Sequence, residues 1–352
     1  YTNKGNTVAV ITDGTAVLGL GDIGPEAAIP VMEGKAILFK RFAQIDAFPL
    51  ALDTTEVEEF VETVVRLAPN FAGINLEDIA APRCFAIEEA LNSRLQIPVF
   101  HDDQHGTAIV CLAALTNALR VVGKELSQVK IVINGAGSAG LAIARLLYQA
   151  GARRLRLCDR QGILFPGLAG TNPYQQAMAK LTNEQGETGD LASALQGADV
   201  FIGVSAANLV SGAMVKTMAA QPIIFAMANP DPEISPERAK ANGAMVVGTG
   251  RSDYPNQINN LLGFPGIFRG LLEVRATKVT EEMKLAAANA LAELIGEEDL
   301  KADYIIPSPF DQRVVPAVAW AVGQEALKAG LSQANLDSDG LRTALRDRFG
   351  PW

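Results

Sequence analysis

Two groups of residues in this 352-residue chain have types and spacing that could do chemistry: paired acids and a glycine-rich turn. The acids occur as Glu77-Asp78 and Asp102-Asp103, each at the end of a short apolar run, 71–76 and 97–100. Four carboxylates brought together repel one another, and a hard divalent cation is the simplest way to hold them. Oxygen-only ligation favours Mg²⁺ or Mn²⁺ over zinc. Adjacent residues cannot all point inward, so three of the four are expected to bind metal and the fourth to support them. The plainer reading makes them helix-capping acids in strand-to-helix loops. Two pairs at successive strand ends weigh against it.

The glycine-rich turn is Gly135-Ala136-Gly137-Ser138-Ala139-Gly140, a G-x-G-x-x-G after the apolar run 131–133. Leu141, Ile143, Ala144, Leu146 and Leu147 follow at helical spacing, and the apolar run 155–158 then ends at Asp159. Strand, glycine turn, helix, strand and acid form a dinucleotide fingerprint. Its glycines let a pyrophosphate sit on the helix N-terminus, and its acid accepts hydrogen bonds from ribose hydroxyls. A second match, Gly19-Leu20-Gly21-Asp22-Ile23-Gly24, reads instead as a turn. Pro25 and Pro30 interrupt the segment where its helix should grow, and Asp46 precedes its apolar run instead of following it.

These residues need elements to position them. Strands are expected at 7–11, 47–52, 71–76 and 97–100, with helices at 54–67 (opened by a Thr cap) and 82–95, and a further short strand at 17–20. The β-α-β-α-β order makes the strands parallel, so both acid pairs emerge on one edge of a sheet. A helix at 106–122 leads to the fingerprint, and strands at 198–204, 222–226 and 244–247 continue the second lobe. Asn229 and the Asn259-Asn260 pair fall in or just beyond strand-end loops, where an amide can bond a cofactor carboxamide or a substrate carboxylate; a turn is the ordinary role for such an Asn. Helices at 281–295 and 312–328 and a polar tail from Leu331 close the chain. His101 and His105 lie four apart without the Glu of H-E-x-x-H, and read as supporting or structural residues. Lys35 sits among apolar residues, and its bland reading is a stem on the core with the ammonium in water.

The fold class that follows is α/β in two domains: an N-terminal parallel α/β lobe and a Rossmann-type, doubly wound dinucleotide-binding domain. The expected division is a substrate and metal lobe at 1–104, the NAD(P) domain at 105–300, and C-terminal helices at 301–352 packing back across the lobes. A composition of 49% apolar and 20% charged residues is that of a soluble globular protein. The net charge of −9 argues against general nucleic-acid binding. Three scattered cysteines exclude a disulfide framework and point to a reducing compartment, by default the cytoplasm. No apolar stretch reads as a membrane span, and the N-terminus is not a signal peptide.

With these sites placed, the chain resembles the small bacterial-type malic enzymes. The matching stretches are YTNKGNTVAVITDG, VLGLGDIGPEAAIPVMEGKA, GINLEDI, PVFHDDQHGTA, GAGSAG, ANPDPE and GRSDYPNQINNLLGFPGIFRG. The resemblance implies oxidative decarboxylation of L-malate to pyruvate and CO₂ with NAD(P)⁺ and Mg²⁺ or Mn²⁺. It assigns the metal to Glu77, Asp78 and Asp103, the base to Lys35, and contacts with cofactor or substrate to Asn229 and Asn260. A base must be neutral, which requires a lowered Lys35 pKa. The resemblance also implies a homodimer or higher homo-oligomer. Asp159 favours NAD, since its charge repels a 2′-phosphate; Arg160, with Arg153, Arg154 and Arg156, could offset that.

Two departures stand out. The family's YTPGV-like motif, whose tyrosine is the proposed acid, has no counterpart here, and Tyr1 does not match it. Either the sequence is truncated before that motif or the final protonation is handled differently, and weak or absent full turnover is expected of this chain alone. The arginine that larger members carry near the GLGD motif is also missing, as Thr15-Ala16-Val17 shows. A malolactic-type enzyme, a hydroxyacid or amino-acid dehydrogenase without metal, and a nucleotide-binding module without turnover are the alternatives.

Overall fold

A computed structural model describes residues 2–352, so Tyr1 lies outside the described residues. The chain forms two compact units. One comprises Tyr1–Ile109, Asn260–Leu294 and Pro309–Trp352; the other comprises Val110–Asn259 and Ile295–Ser308. The sequence division at 104 and 300 follows chain order, whereas compactness groups 260–294 and 309–352 with the N-terminal strands.

The first unit holds a four-stranded parallel sheet of β1 (Thr7–Thr12), β2 (Asp46–Ala51), β3 (Gly73–Leu76) and β4 (Val99–His101), in the order β2-β1-β3-β4. β1 and β3 are buried throughout, which is why they read as continuous apolar runs. β2 is an edge strand and only half-buried, so it tolerates Pro49. Strand order reverses between β1 and β3, and open α/β sheets bind ligands at the carboxyl ends beside such a reversal.

The prolines at 25 and 30 do not stop the next helix, contrary to the sequence expectation. Gly24–Ala43 is one 20-residue helix with Pro25 in its first turn and Pro30 inside it. An interior proline costs about 3 kcal/mol. Against this, Ala28, Met32, Lys35, Phe39 and Ala43 form one buried face, and each large apolar side chain buried there stabilises by roughly 1.5–3 kcal/mol. Tertiary burial wins, and it puts Lys35 on the inward face. The 17–20 segment is not a strand: Val17 and Gly21 close a tight turn on each other (Val17 N–H to Gly21 O, 2.9 Å), with Gly19, Gly21 and Gly24 all at positive φ.

Other boundaries shift in ways that matter. The helix expected from Gly106 begins at Asp102 and runs to Val122, so both acids of the second pair occupy its first turn, where the helix dipole favours negative charge. By length and composition this helix could cross a membrane, but 72% of its apolar window is buried within the protein, as in a core helix. The helix expected from Thr54 starts at Val57, without a side-chain cap. The polar tail contains a helix, Ser338–Phe349, that buries Leu341 and Leu345. The helix Phe264–Glu273 joins the first unit through edge-to-face rings, Phe39 against Phe264 and Phe268 at 4.8 and 5.2 Å.

The second unit is a six-stranded sheet in the order β10-β9-β8-β5-β6-β7. Its strands are β5 (Lys130–Asn134), β6 (Arg154–Asp159), β7 (Gly162–Ile163), β8 (Val200–Gly203), β9 (Ile223–Ala226) and β10 (Val246–Thr249). All pair in parallel except β6 with β7. The reversal falls between β5 and β8, where the glycine turn leaves β5.

Candidate active site

In the first unit β3 runs out into Glu77-Asp78 and β4 into Asp102-Asp103. Asp78 sits in the left-handed region (φ 54°), a conformation that Asp tolerates better than most residues, and its N–H donates to Asp103 Oδ2 at 2.7 Å. Glu77, Asp78 and Asp103 can each offer an oxygen within 4.8 Å of the others. Burial, then the neighbouring Glu77, lifts the Asp78 carboxyl to about 7, and Asp103 is pushed up as well by burial and the same acids. Such a crowd of acids repels itself, and its all-oxygen donor set would fit a hard cation such as Mg²⁺ or Mn²⁺.

Asp102, the fourth acid, takes a different partner. Its Oδ2 accepts from the Lys35 ammonium and from Asn260 Nδ2, the latter at 2.5 Å. The same ammonium lies 2.9 Å from Glu77 Oε1 and 4.0 Å from the centre of the Phe264 ring. Lys35 is thus buried (7% exposed) and fully engaged, so the bland reading with its ammonium in water does not hold. Nor is its pKa lowered with the protein groups alone. Burial pulls it down, but Asp102 and Glu77 overcome that and hold it above the usual lysine range.

Gly106 lies against the acids, and pattern reading did not single it out. A Cβ there would stand 1.8 Å from Asp102 Oδ1 and 3.2 Å from Asn260 Cβ. Its one signal was a glycine inside a strong helix, where it costs about 1 kcal/mol relative to Ala. Arg83 was missed as well. Its guanidinium meets Asp13 Oδ2 at 2.9 Å and donates to Thr15 Oγ1 at 3.0 Å, so an arginine does reach the segment that lacked one. His101 is wholly buried, and burial drops its pKa to about 4, leaving it neutral. His105 lies between Glu88 Oε1 (2.8 Å) and Lys284 Nζ (3.0 Å from Nδ1). Burial alone would raise Glu88, yet His105 and Lys284 hold it down at about 2.

In the second unit the glycine turn meets its steric requirements. A Cβ on Gly140 would strike Gly135 O at 1.7 Å, and one on Gly135, at φ 111°, would strike Val204 O at 2.4 Å. Gly137 is exposed and open, and it starts the helix Ser138–Gln149 without a side-chain cap. That leaves helix N-terminal N–H groups for a phosphate. Asp159 ends β6, half-buried, with Oδ1 accepting from Arg160 N at 2.7 Å and Oδ2 from Gln175 Nε2 at 3.2 Å. Asn229 follows β9; a Cβ on Gly250 would lie 3.1 Å from its Nδ2. The buried Glu233 ties the loops after β8 and β9, accepting from Ser205 N at 2.9 Å and Ala228 N at 3.1 Å.

The chain matches the malic enzyme N-terminal domain over residues 1–92 and the malic enzyme NAD binding domain over residues 104–327. It is 59% identical over 340 residues to the bifunctional malic/malolactic enzyme of Bacillus subtilis (strain 168), covering 96% of this chain and 83% of that protein. It is 56% identical over 332 residues to the NAD-dependent malic enzyme of Geobacillus stearothermophilus, covering 94% and 69% respectively. Proteins named NADP-dependent malic enzyme also match. Among solved structures, the malic enzyme from Pyrococcus horikoshii Ot3 superposes with a TM-score of 0.94 at 47% identity, covering 99% of this chain and 82% of that one.

Proposed function

The chain belongs to the malic enzyme family, and from that premise we propose that it converts L-malate to pyruvate and CO₂ with reduction of NAD⁺ or NADP⁺, using Mg²⁺ or Mn²⁺. The observation that carries the residue roles is the carboxylate edge of the first unit: three acids whose oxygens lie within 4.8 Å, beside a buried lysine. A cation held by Glu77, Asp78 and Asp103 would supply a Lewis acid for the malate hydroxyl and the developing enolate, and the coenzyme would supply the hydride acceptor.

Lys35 is the base for the 2-hydroxyl proton. Its Nζ starts protonated, so it must first pass a proton on. Asp102 is the carboxylate in contact with it and so the available acceptor; the protein groups alone keep the proton on Lys35, so the transfer needs the positive charge that a cation held by the neighbouring acids would bring. Asn260 holds Asp102 Oδ2 in place for this exchange. The Asp78 N–H holds Asp103 Oδ2 in the same way. Asn229 serves the cofactor or substrate.

Coenzyme choice leans to NAD. Asp159 ends β6, where a dinucleotide fingerprint carries its ribose-binding acid, and three arginines that could have offset its charge are bonded elsewhere. Arg153 donates to Tyr148 O, Arg154 to Gln128 O, and Arg156 pairs with Glu187 at 2.6 Å. A homodimer or higher homo-oligomer in the cytoplasm belongs to the same reading. A monomeric mass by light scattering at micromolar concentration would count against the assembly.

The test is NAD⁺ and NADP⁺ reduction with L-malate and Mn²⁺, with pyruvate scored with and without EDTA, on the wild type and Lys35→Ala. Metal-dependent pyruvate formation that disappears in the variant supports the assignment. Turnover indifferent to EDTA would sink the metal role. The name of the Bacillus relative gives weight to a second reading, malolactic conversion, which L-lactate appearing without net coenzyme reduction would reveal.

A further inference from the structure

We propose that Gln175 is a specificity-determining positioning residue, which holds the Asp159 carboxylate against the glycine turn and so sets the discrimination between NAD⁺ and NADP⁺. The inference rests on the reading of Asp159 as the ribose acceptor. Gln175 lies in the first turn of the helix Pro173–Thr182 and is 9% exposed. Its side chain meets the cap of its own helix and two other segments. Oε1 accepts from Asn172 N at 3.0 Å, while Nε2 donates to Ala136 O at 3.0 Å and to Asp159 Oδ2 at 3.2 Å.

An amide has two N–H donors, and both are used here. Its orientation is also unambiguous. A flip would turn the carbonyl toward a carboxylate and a backbone carbonyl, and the amino group toward an N–H. Ala136 is the second residue of the glycine turn, and Asp159 ends the neighbouring strand β6. The single amide therefore fixes the acid relative to the loop that would carry the pyrophosphate.

That link decides what the acid can do. The other oxygen, Oδ1, is held by Arg160 N, so with Gln175 in place both carboxylate oxygens are restrained. A restrained carboxylate presents fixed acceptors to the two ribose hydroxyls and a fixed negative charge to a 2′-phosphate. Released on one side, the same carboxylate can rotate away and let a phosphate in beside the exposed Arg160.

The experiment compares kcat/KM for NAD⁺ and NADP⁺ in Gln175→Met, Asn172→Ala and Asp159→Ser, using the full chain with L-malate and Mn²⁺. Gln175→Met should lower the NAD⁺/NADP⁺ ratio about tenfold, the size of one hydrogen bond to a charged group. The change should fall mainly in KM. Asn172→Ala removes the side chain that caps the same helix. It should lower the thermal midpoint and leave the ratio within twofold of wild type. Calorimetric affinities for adenosine 2′,5′-bisphosphate and 5′-AMP should shift in the same sense as the ratio. If Gln175→Met does not yield folded protein, Gln175→Asn, one methylene too short to reach, carries the test.

An unchanged ratio in the Gln175 variants alongside a shifted ratio in Asp159→Ser overturns the inference and spares the reading of Asp159. An unchanged ratio in Asp159→Ser overturns both. A shift in Asn172→Ala equal to that in Gln175→Met would make helix docking the cause, and would also overturn it.

Discussion

Gly106→Ala should nearly abolish malate oxidation although it adds one methyl group to a helix. In an open helix interior that change stabilises by about 1 kcal/mol. Here the new Cβ would stand 1.8 Å from Asp102 Oδ1 and 2.8 Å from its Cγ, with Asn260 Cβ on its far side at 3.2 Å. Asp102 must withdraw by roughly 1–2 Å to restore ordinary contact. Its Oδ2 then leaves both Lys35 and Asn260. A misplacement of about 1 Å in a reacting constellation costs on the order of 10²-fold in rate. Breaking a buried charge pair costs about 3–5 kcal/mol, so after the helix gain a net loss of about 2–4 kcal/mol remains. The assays are kcat with saturating L-malate and Mn²⁺, and urea unfolding at pH 7. A variant that keeps kcat within threefold of wild type would show that Asp102 does not need its present position, and the proton exchange with Lys35 would have to be abandoned.

Three further outcomes follow from the same groups. Lys35→Met leaves Glu77 and Asp102 buried without their cation and should reduce stability by about 3–5 kcal/mol in urea when EDTA is present; a loss below 1 kcal/mol would mean the ammonium is not part of that core. Asp103→Asn should weaken Mn²⁺ binding, followed by calorimetry, at least tenfold, and unchanged affinity would remove Asp103 from the ligand set. Asp78 and Asp102 both have folded pKa values raised to about 7 from 3.8, so the folded chain binds the extra protons. Their stabilisation is complete below about pH 4 and lost as pH rises towards 7, while His101, lowered to about 4, acts in the opposite sense below pH 6.5. Chelated protein should therefore be less stable in urea at pH 8 than at pH 6, and Mn²⁺ should abolish the difference; equal stability without metal would refute the electrostatic account.

Much of the molecule could be read from short-range pattern. The glycine turn, the helix after it and Asp159 lie within one strand-helix-strand unit, where side-chain period and turn chemistry are set by neighbours in the chain. The acid pairs were legible for the same reason, as strand-end residues of a parallel sheet. What sequence alone could not decide was which groups face one another. Pro30 reads locally as a helix breaker, yet the burial of Met32 and Phe39 carries the helix through it. Lys35 reads as a surface ammonium until Asp102, 67 residues away, accepts from it. That same partner turns an expected downward pKa shift into an upward one. Gln175 carries no local mark of function, because its partners Ala136 and Asp159 come from two other segments. Periodicity determined the elements and the edge where chemistry collects. The pairing of charges and amides across that edge depends on Coulomb and hydrogen-bond terms between groups far apart in the chain, and only the tertiary structure brings those groups within range.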